Sequence, residues 1–345
     1  QTYDANGNIS TRTDFNGNTT TYSYDLARNL ETSRTEAVGR PEARTITTDW
    51  HATFRLPTVI TEPGRETVNA YDPNSGNLLS RSIKDTITNK TRTWTYTYTT
   101  AADGTLPNLL KTVDGPRTDV SDITSYAYYP NGDLQSVTNA LGHETRITQY
   151  DPHGRPQIIV DPNSIVTELT YWPRGWLKSR SVAGETSYYD YDGVGQITKV
   201  TAPDGSFVSY SYDDAHRLTD IYDAQGNRIH YTLDAIGNRT QEEVFNNLGA
   251  LVTSKSRVFD ALNRLWRDIG ALNQTTTYEY DANGNLTKID GPLTNQADVT
   301  VNSYDALNRL KTSTDALAGI TRYGYDPLDQ LRSVQDPRSL TTSYT

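Results

Sequence analysis

The segment Tyr3-Asp4-Ala5-Asn6-Gly7-Asn8-Ile9 returns as Tyr280-Asp281-Ala282-Asn283-Gly284-Asn285-Leu286. Phe259-Asp260-Ala261-Leu262-Asn263-Arg264-Leu265 returns as Tyr304-Asp305-Ala306-Leu307-Asn308-Arg309-Leu310. Looser copies start at Tyr24, Trp50, Tyr71, Tyr98, Tyr129, Tyr150, Trp172, Tyr191, Tyr212, Leu233 and Tyr325, which makes 15 anchors in 345 residues. The commonest step between anchors is 21 residues, found in seven of fourteen intervals. A period of this length marks a repeat architecture, in which one small unit is stacked many times. The longer steps read as loop insertions at one end of a strand pair.

Each unit holds two turns. The first lies four residues after the anchor, at Gly7, Gly154, Gly195, Gly237 and Gly284, with Asn263 and Asn308 in two further copies. Gly and then Asn best tolerate the positive φ that tight hairpin turns need. Asp329 fits the same position; Arg28, Phe54 and His216 do not, so those three copies are expected to turn differently. The second turn falls about fourteen residues after the anchor, at Gly17, Gly64, Gly205, Gly226 and Asn273. Between turns, runs such as Ser206-Phe207-Val208-Ser209-Tyr210-Ser211-Tyr212 alternate with period two, the mark of a strand.

One repeat is therefore strand, turn, strand, turn. The anchor and the apolar residue six further on flank the first turn, as in Tyr24 with Leu30, Tyr212 with Leu218, Tyr280 with Leu286 and Tyr304 with Leu310. They are placed for direct or diagonal cross-strand contact. The Asp after the anchor is placed to accept hydrogen bonds from turn amides. Fifteen units imply on the order of thirty short antiparallel strands, whereas open sheets rarely exceed about ten before curling or splitting. Twist of fixed hand accumulates along such a ribbon. The expected fold is all-β: one long curled antiparallel sheet forming a spiral or hollow shell wall over residues 1–345.

Composition agrees with a wall one sheet thick. The hydrophobic fraction is 34%, against roughly 45–50% in typical globular domains. The 24 Tyr argue against disorder. A net charge of −10 disfavours nucleic acid and anionic membrane surfaces as partners. There is no Cys, hence no disulfide, thiol nucleophile or thiolate metal site. No run approaches the apolar length of a membrane span. The chain begins at Gln1, contains no Met and ends inside a repeat, so further repeats are expected on both sides.

The recurring Tyr-Asp-x-x-Gly-Asn-Leu and Tyr-Asp-x-x-Asn-Arg-Leu units resemble the YD repeats of bacterial Rhs proteins. Similar repeats occur in Tc toxin cocoons, wall-associated proteins and the teneurin shell. The resemblance covers essentially the whole chain and is weakest over 34–48 and 84–122. It implies a hollow β-cocoon that encloses a C-terminal toxin in the bacterial members, secreted or at the cell surface, often through type VI secretion or similar machinery. The implied partners are that cargo and the rest of the shell, with no catalysis and no cofactor in the wall itself. A cleaving Rhs core ends in Asp-Pro-x-Gly-Leu. Asp336-Pro337-Arg338-Ser339-Leu340 keeps only Asp-Pro and Leu, and Asp151-Pro152-His153-Gly154-Arg155 sits mid-array, so no protease residues are carried over.

The structural anchors are Tyr3, Asp4, Gly7, Tyr24, Asp25, Tyr150, Asp151, Gly154, Tyr191, Asp192, Gly195, Tyr212, Asp213, Tyr280, Asp281, Gly284, Tyr304, Asp305, Asn308, Tyr325 and Asp326. Asp4-x-Asn6-x-Asn8, Asp14-x-Asn16-x-Asn18 and Asp281-x-Asn283-x-Asn285 superficially resemble a calcium loop. An EF-hand needs Gly at the sixth position and Glu at the twelfth, so these read as hairpin turns. None of His51, His143, His153, His216 and His230 has a helical metal-binding spacing. The carboxylates recur at one repeated position, where a single structural role explains them. Trp172 and Trp176 are the most singular patch: they fill the wall or stack a ligand. An alternative function follows from the second option, a module binding cell-surface glycans or proteins.

Overall fold

The computed structural model describes residues 1–293 and 298–344. Among the described residues are thirty-one β-strands and one three-residue 3-10 turn, Ala101–Asp103. The pairings between Thr2–Tyr3 and Ile9–Thr13, between Phe207–Tyr212 and Leu218–Asp223, and between Ile320–Tyr325 and Leu331–Gln335 are typical: antiparallel, and between strands adjacent in sequence. Short steps between alternating strands leave no other partner within easy reach.

The chain forms two compact units. The first comprises Gln1–Thr97, Val113–Ser121 and Thr276–Thr345; the second comprises Tyr98–Thr112 and Asp122–Thr275. The sequence between Lys84 and Asp122, where the repeat is weakest, holds the strands Thr91–Tyr98 and Leu110–Asp114. The loop between them is organised by buried Thr99, whose Oγ1 donates to the Leu106 carbonyl at 2.7 Å and accepts from the Leu109 amide at 3.0 Å.

Burial is thin. Among the described residues only Leu30, Ala37 and Ile46 of the first unit and Tyr231 of the second are buried apolar side chains. The chain exposes 20885 Å² for its 38.5 kDa, where a compact globule of that mass exposes about 14,000 Å². The strands thus form a single layer with both faces partly wet. Stability rests on ladder hydrogen bonds and on neighbour contacts between repeats.

Most first turns share one geometry. In the first copy the Asp4 amide donates to the Asn8 carbonyl at 2.8 Å and the Gly7 amide donates to the Asp4 carbonyl at 3.1 Å. This is a three-residue loop with a left-handed residue and a bulge, and Gly7 has φ +83°. The bulge falls at the anchor: register shifts between Ser211 and Tyr212, between Glu279 and Tyr280 and between Ser303 and Tyr304. Tyr212, Tyr280 and Tyr304 pair directly with Leu218, Leu286 and Leu310, while Tyr24 lies diagonal to Leu30.

Three expectations change. His216 adopts φ +63° and its amide donates to the Asp213 carbonyl at 2.9 Å, the same turn as the glycine copies. The local hydrogen bonds of the turn outweigh the penalty for a non-glycine residue there. Arg28 and Phe54 do turn differently: Asn29 carries the positive φ, and His51 Nδ1 accepts the Thr53 and Phe54 amides. Two anchors shift by one residue. Tyr128 and Tyr171, not Tyr129 and Trp172, stand opposite Leu134 and Leu177. Tyr129 and Trp172 occupy the position that Asp holds elsewhere, because Gly132 and Gly175 fix the turn four residues after the tyrosine.

Candidate functional site

The repeated chemistry lies at the turns. Asp4 Oδ1 accepts the Asn6 and Asn8 amides, each at 2.9 Å, and Oδ2 accepts Asn8 Nδ2 at 2.9 Å. Asp281 repeats this with Asn285. In Asp151, Asp213 and Asp305 the residue five after the anchor is arginine, and its Nε takes the place of the Asn amide, at 2.6, 2.8 and 2.7 Å. Both motif variants therefore do the same thing: the residue after the left-handed position donates its side chain to Asp Oδ2. Asp25 and Asp326 accept turn amides from Ala27 and Leu328, and Asp192 accepts those of Val194, Gly195 and Gln196. These carboxylates are occupied by their own turns, which is the physical reason the Asp-x-Asn-x-Asn segments are hairpin turns.

The arginine variant also joins neighbours. Arg217 Nη1 donates to the Asp234 carbonyl at 2.8 Å, and Arg309 Nη1 to the Asp326 carbonyl at 3.0 Å. Arg155 lies 4.7 Å over the Tyr171 ring, a cation–π contact to the next anchor.

The anchor tyrosines carry a second link. Tyr150, Tyr212, Tyr304 and Tyr325 hydroxyls donate to the carbonyls of Leu134, Ile197, Leu286 and Leu310, at 2.6, 2.8, 2.9 and 3.0 Å. Each acceptor is the first strand residue after the turn of the preceding repeat. Trp50 makes a comparable link with its indole N–H, donating to the carbonyl of Glu31, the second residue of the strand Leu30–Glu36, at 2.8 Å. Burial pushes the Tyr24, Tyr150, Tyr191, Tyr212, Tyr304 and Tyr325 phenols up, so all keep their proton at neutral pH. Tyr3 is exposed, and its hydroxyl donates to Gln1 Oε1 and not to a preceding repeat. Tyr212→Phe is expected to destabilise the protein by about 1 kcal/mol by orphaning a carbonyl. Urea unfolding checks this, and an unchanged midpoint would show that the hydroxyl contributes nothing.

The turn aspartates also make the fold acid-sensitive. The Arg155 guanidinium beside Asp151 holds its carboxyl down at about 2, and Lys111 does the same for Asp103. The Asn8 side-chain amide lowers Asp4, and Arg217 lowers Asp213. A folded pKa below the unfolded value gives stability that is complete above the unfolded pKa and lost as pH falls through the folded one. The melting temperature should hold from pH 7 to 5 and fall between about pH 4 and 2. A fall completed above pH 5 would contradict this origin.

Trp172 and Trp176 border a cleft of about 420 Å³ with Pro173, Arg174, Asp190 and Tyr191. Trp172 Nε1 donates to the Tyr189 carbonyl at 3.1 Å, and Lys178 Nζ lies 4.9 Å over its ring. Trp176 packs on Tyr191 at 5.3 Å between centroids, with Arg174 at 5.5 Å. Both indoles are thus engaged by the sheet itself, and cations stand over their rings.

One group had no sequence signal. Asp220 is buried and accepts Arg228 Nε at 2.7 Å, and it lies 2.8 Å from His230 Nδ1. The strands Leu218–Asp223 and Arg228–Leu233 place Asp220 opposite His230. A cross-strand pair of this kind follows from register, which the repeat period alone does not reveal. Asp220 Oδ1 thus gathers side chains from the neighbouring strand, and the group ties the two strands together.

Comparison with known proteins places this geometry. The chain is 28% identical over 228 residues to the toxin protein Tse5 of Pseudomonas aeruginosa, covering 53% of this chain and 16% of the relative. It is 29% identical over 108 residues to teneurin-3 of Danio rerio, covering 25% of this chain and 4% of the relative. The chain therefore spans less than a fifth of the length of these relatives. A crystal structure of TcdB2-TccC3 without its hypervariable C-terminal region superposes with a TM-score of 0.67 at 16% identity, covering 96% of this chain and 22% of the other. The model of the RHS repeat matches residues 3–41, 128–166, 191–227, 212–244, 259–296 and 304–345, more than half of the chain. With the same turn chemistry recurring in each matched segment, the chain belongs to the RHS repeat family.

Proposed function

We propose that this array is wall material of a shell that encloses a C-terminal toxin cargo of the same polypeptide. The single-layer sheet carries the reading: 20885 Å² of exposed surface and few buried apolar residues suit a wall and give no core for a free-standing enzyme. The turn aspartates point the same way, since their oxygens are taken by turn amides and by Asn or Arg side chains. One relative is a toxin protein, and a solved neighbour is described as lacking a hypervariable C-terminal region. In this reading the wall acts sterically, by keeping cargo and cell apart. Its partners are the cargo and the remaining shell, its origin is bacterial, and it works secreted or at the cell surface. The wall takes no catalytic step.

The test is limited proteolysis of the full parent protein, read by mass spectrometry. The cargo should resist protease while the repeats are folded and be digested at the rate of the free domain once they are denatured. A cargo digested at the free rate in the folded parent would overturn the proposal.

A further inference from the structure

Within the first unit, early and late repeats meet turn against turn. Asn16 Nδ2 donates to Asp281 Oδ2 at 2.9 Å, and Asn283 Nδ2 donates to Asp14 Oδ2 at 2.8 Å. The Asn16 amide also donates to Asn283 Oδ1 at 3.2 Å. The contact is reciprocal: each turn gives a side-chain amide to the carboxylate that caps the other. The partners lie more than 260 residues apart in sequence.

A second contact follows the same line. Arg44 Nη1 donates to the Pro327 carbonyl and to Asp329 Oδ2, both at 2.8 Å, while its Nε holds Glu36 at 2.6 Å. Asp329 Oδ1 accepts Arg309 Nη1 at 3.0 Å, and Arg309 Nε holds Asp305 at 2.7 Å. Charges alternate without a break from Glu36 to Asp305. Arg44 and Glu36 are well covered, at 17% and 20% side-chain exposure, so solvent screens their pair less than a surface pair, while Asp329 is 45% exposed.

The molecule contains its own comparison. The turn Asp4-Ala5-Asn6-Gly7-Asn8 has the same residues as Asp281-Ala282-Asn283-Gly284-Asn285. Asn6 makes the sideways bond to Asn29 that Asn283 makes to Asn308, at 2.9 and 2.8 Å. Among the described residues no facing turn meets Asp4. The identical turn thus occurs once clasped and once unclasped, and the clasp is an addition to the repeat rather than a part of it.

We infer that the Asn16–Asp281, Asn283–Asp14 and Arg44–Asp329 contacts form a latch, which fixes which late repeat lies against which early one and opens before the hairpins unfold. The hairpins are held by continuous ladders, whereas the latch is a handful of side-chain bonds. Such contacts belong to the low-stability end of a structure.

Hydrogen exchange of the intact chain tests this, using Asn16→Ala, Asn283→Ala, the double variant, and Arg44→Gln. The reporters are the Asn18 and Asn285 amides, which donate to Asp14 and Asp281. Each single Asn variant should speed exchange in both turns by about fivefold. The double variant should be no faster than the singles together predict for one shared contact. Arg44→Gln should speed exchange around 326–330. Asn6→Ala should affect only its own end of the array. Acceleration confined to the mutated turn, or single effects that multiply in the double variant, would overturn the latch. So would acceleration in the hairpin 207–223 of the second unit, because that would mean general unfolding.

Discussion

Gly195→Val is expected to destabilise the second unit by about 3 kcal/mol. Two effects add. Gly195 sits at φ +98°, where a β-branched side chain is strained, and a Cβ there would lie 2.8 Å from Cζ2 and 2.9 Å from Cε2 of Trp176. The indole also packs on the Tyr191 ring, 5.3 Å between centroids, so moving it aside would cost that contact. Gly205→Ala is the control: φ is +85° with nothing within 4 Å of the added carbon, so only the backbone penalty of about 1 kcal/mol remains. Urea unfolding followed by tryptophan fluorescence measures both. Trp176→Ala should relieve much of the valine penalty in the double variant, as residues in direct contact couple. Equal losses at Gly195 and Gly205 would show that the indole contact has no weight.

The second large effect is at Leu30. It is 6% exposed, one of few buried apolar side chains in the described residues, and it opens the strand Leu30–Glu36 after an atypical turn. Leu30→Ala is expected to cost about 2–3 kcal/mol, toward the lower end for a buried leucine, since a single layer lets the site collapse or fill with water. Leu218→Ala, at a half-buried copy of the same repeat position, should cost less. Chemical denaturation of both variants gives the ranking, and a larger loss at Leu218 would reverse it. In a linear array each loss should stay near its own repeat, so hydrogen exchange should locate it.

Much of this molecule was legible because it is local. The Asp4 to Asn8 turn is closed by bonds within five residues, so its residue types announce it. The alternation around Tyr212 likewise predicts its strand, and the pairing with Leu218 follows once the turn is placed. Where sequence and structure differ, the spacing to the turn outweighs residue type. As an aromatic Trp172 reads as an anchor, whereas Gly175 places the anchor at Tyr171. His216 lacks the residue type that favours positive φ, yet Asp213 and Arg217 build the same turn around it. The alternation between Asn and Arg after the turn was visible, but its cause, a shared bond to Asp Oδ2, needed coordinates.

By itself, then, the amino-acid order determined the repeating unit: the hairpins, their left-handed turn residues, and a ribbon with little core. Each of these depends on interactions a few residues long. Only the tertiary structure decided that Asp14 meets Asn283 and that Arg44 meets Asp329. Which distant turns coincide depends on small rotations summed over many repeats, a quantity no single repeat encodes.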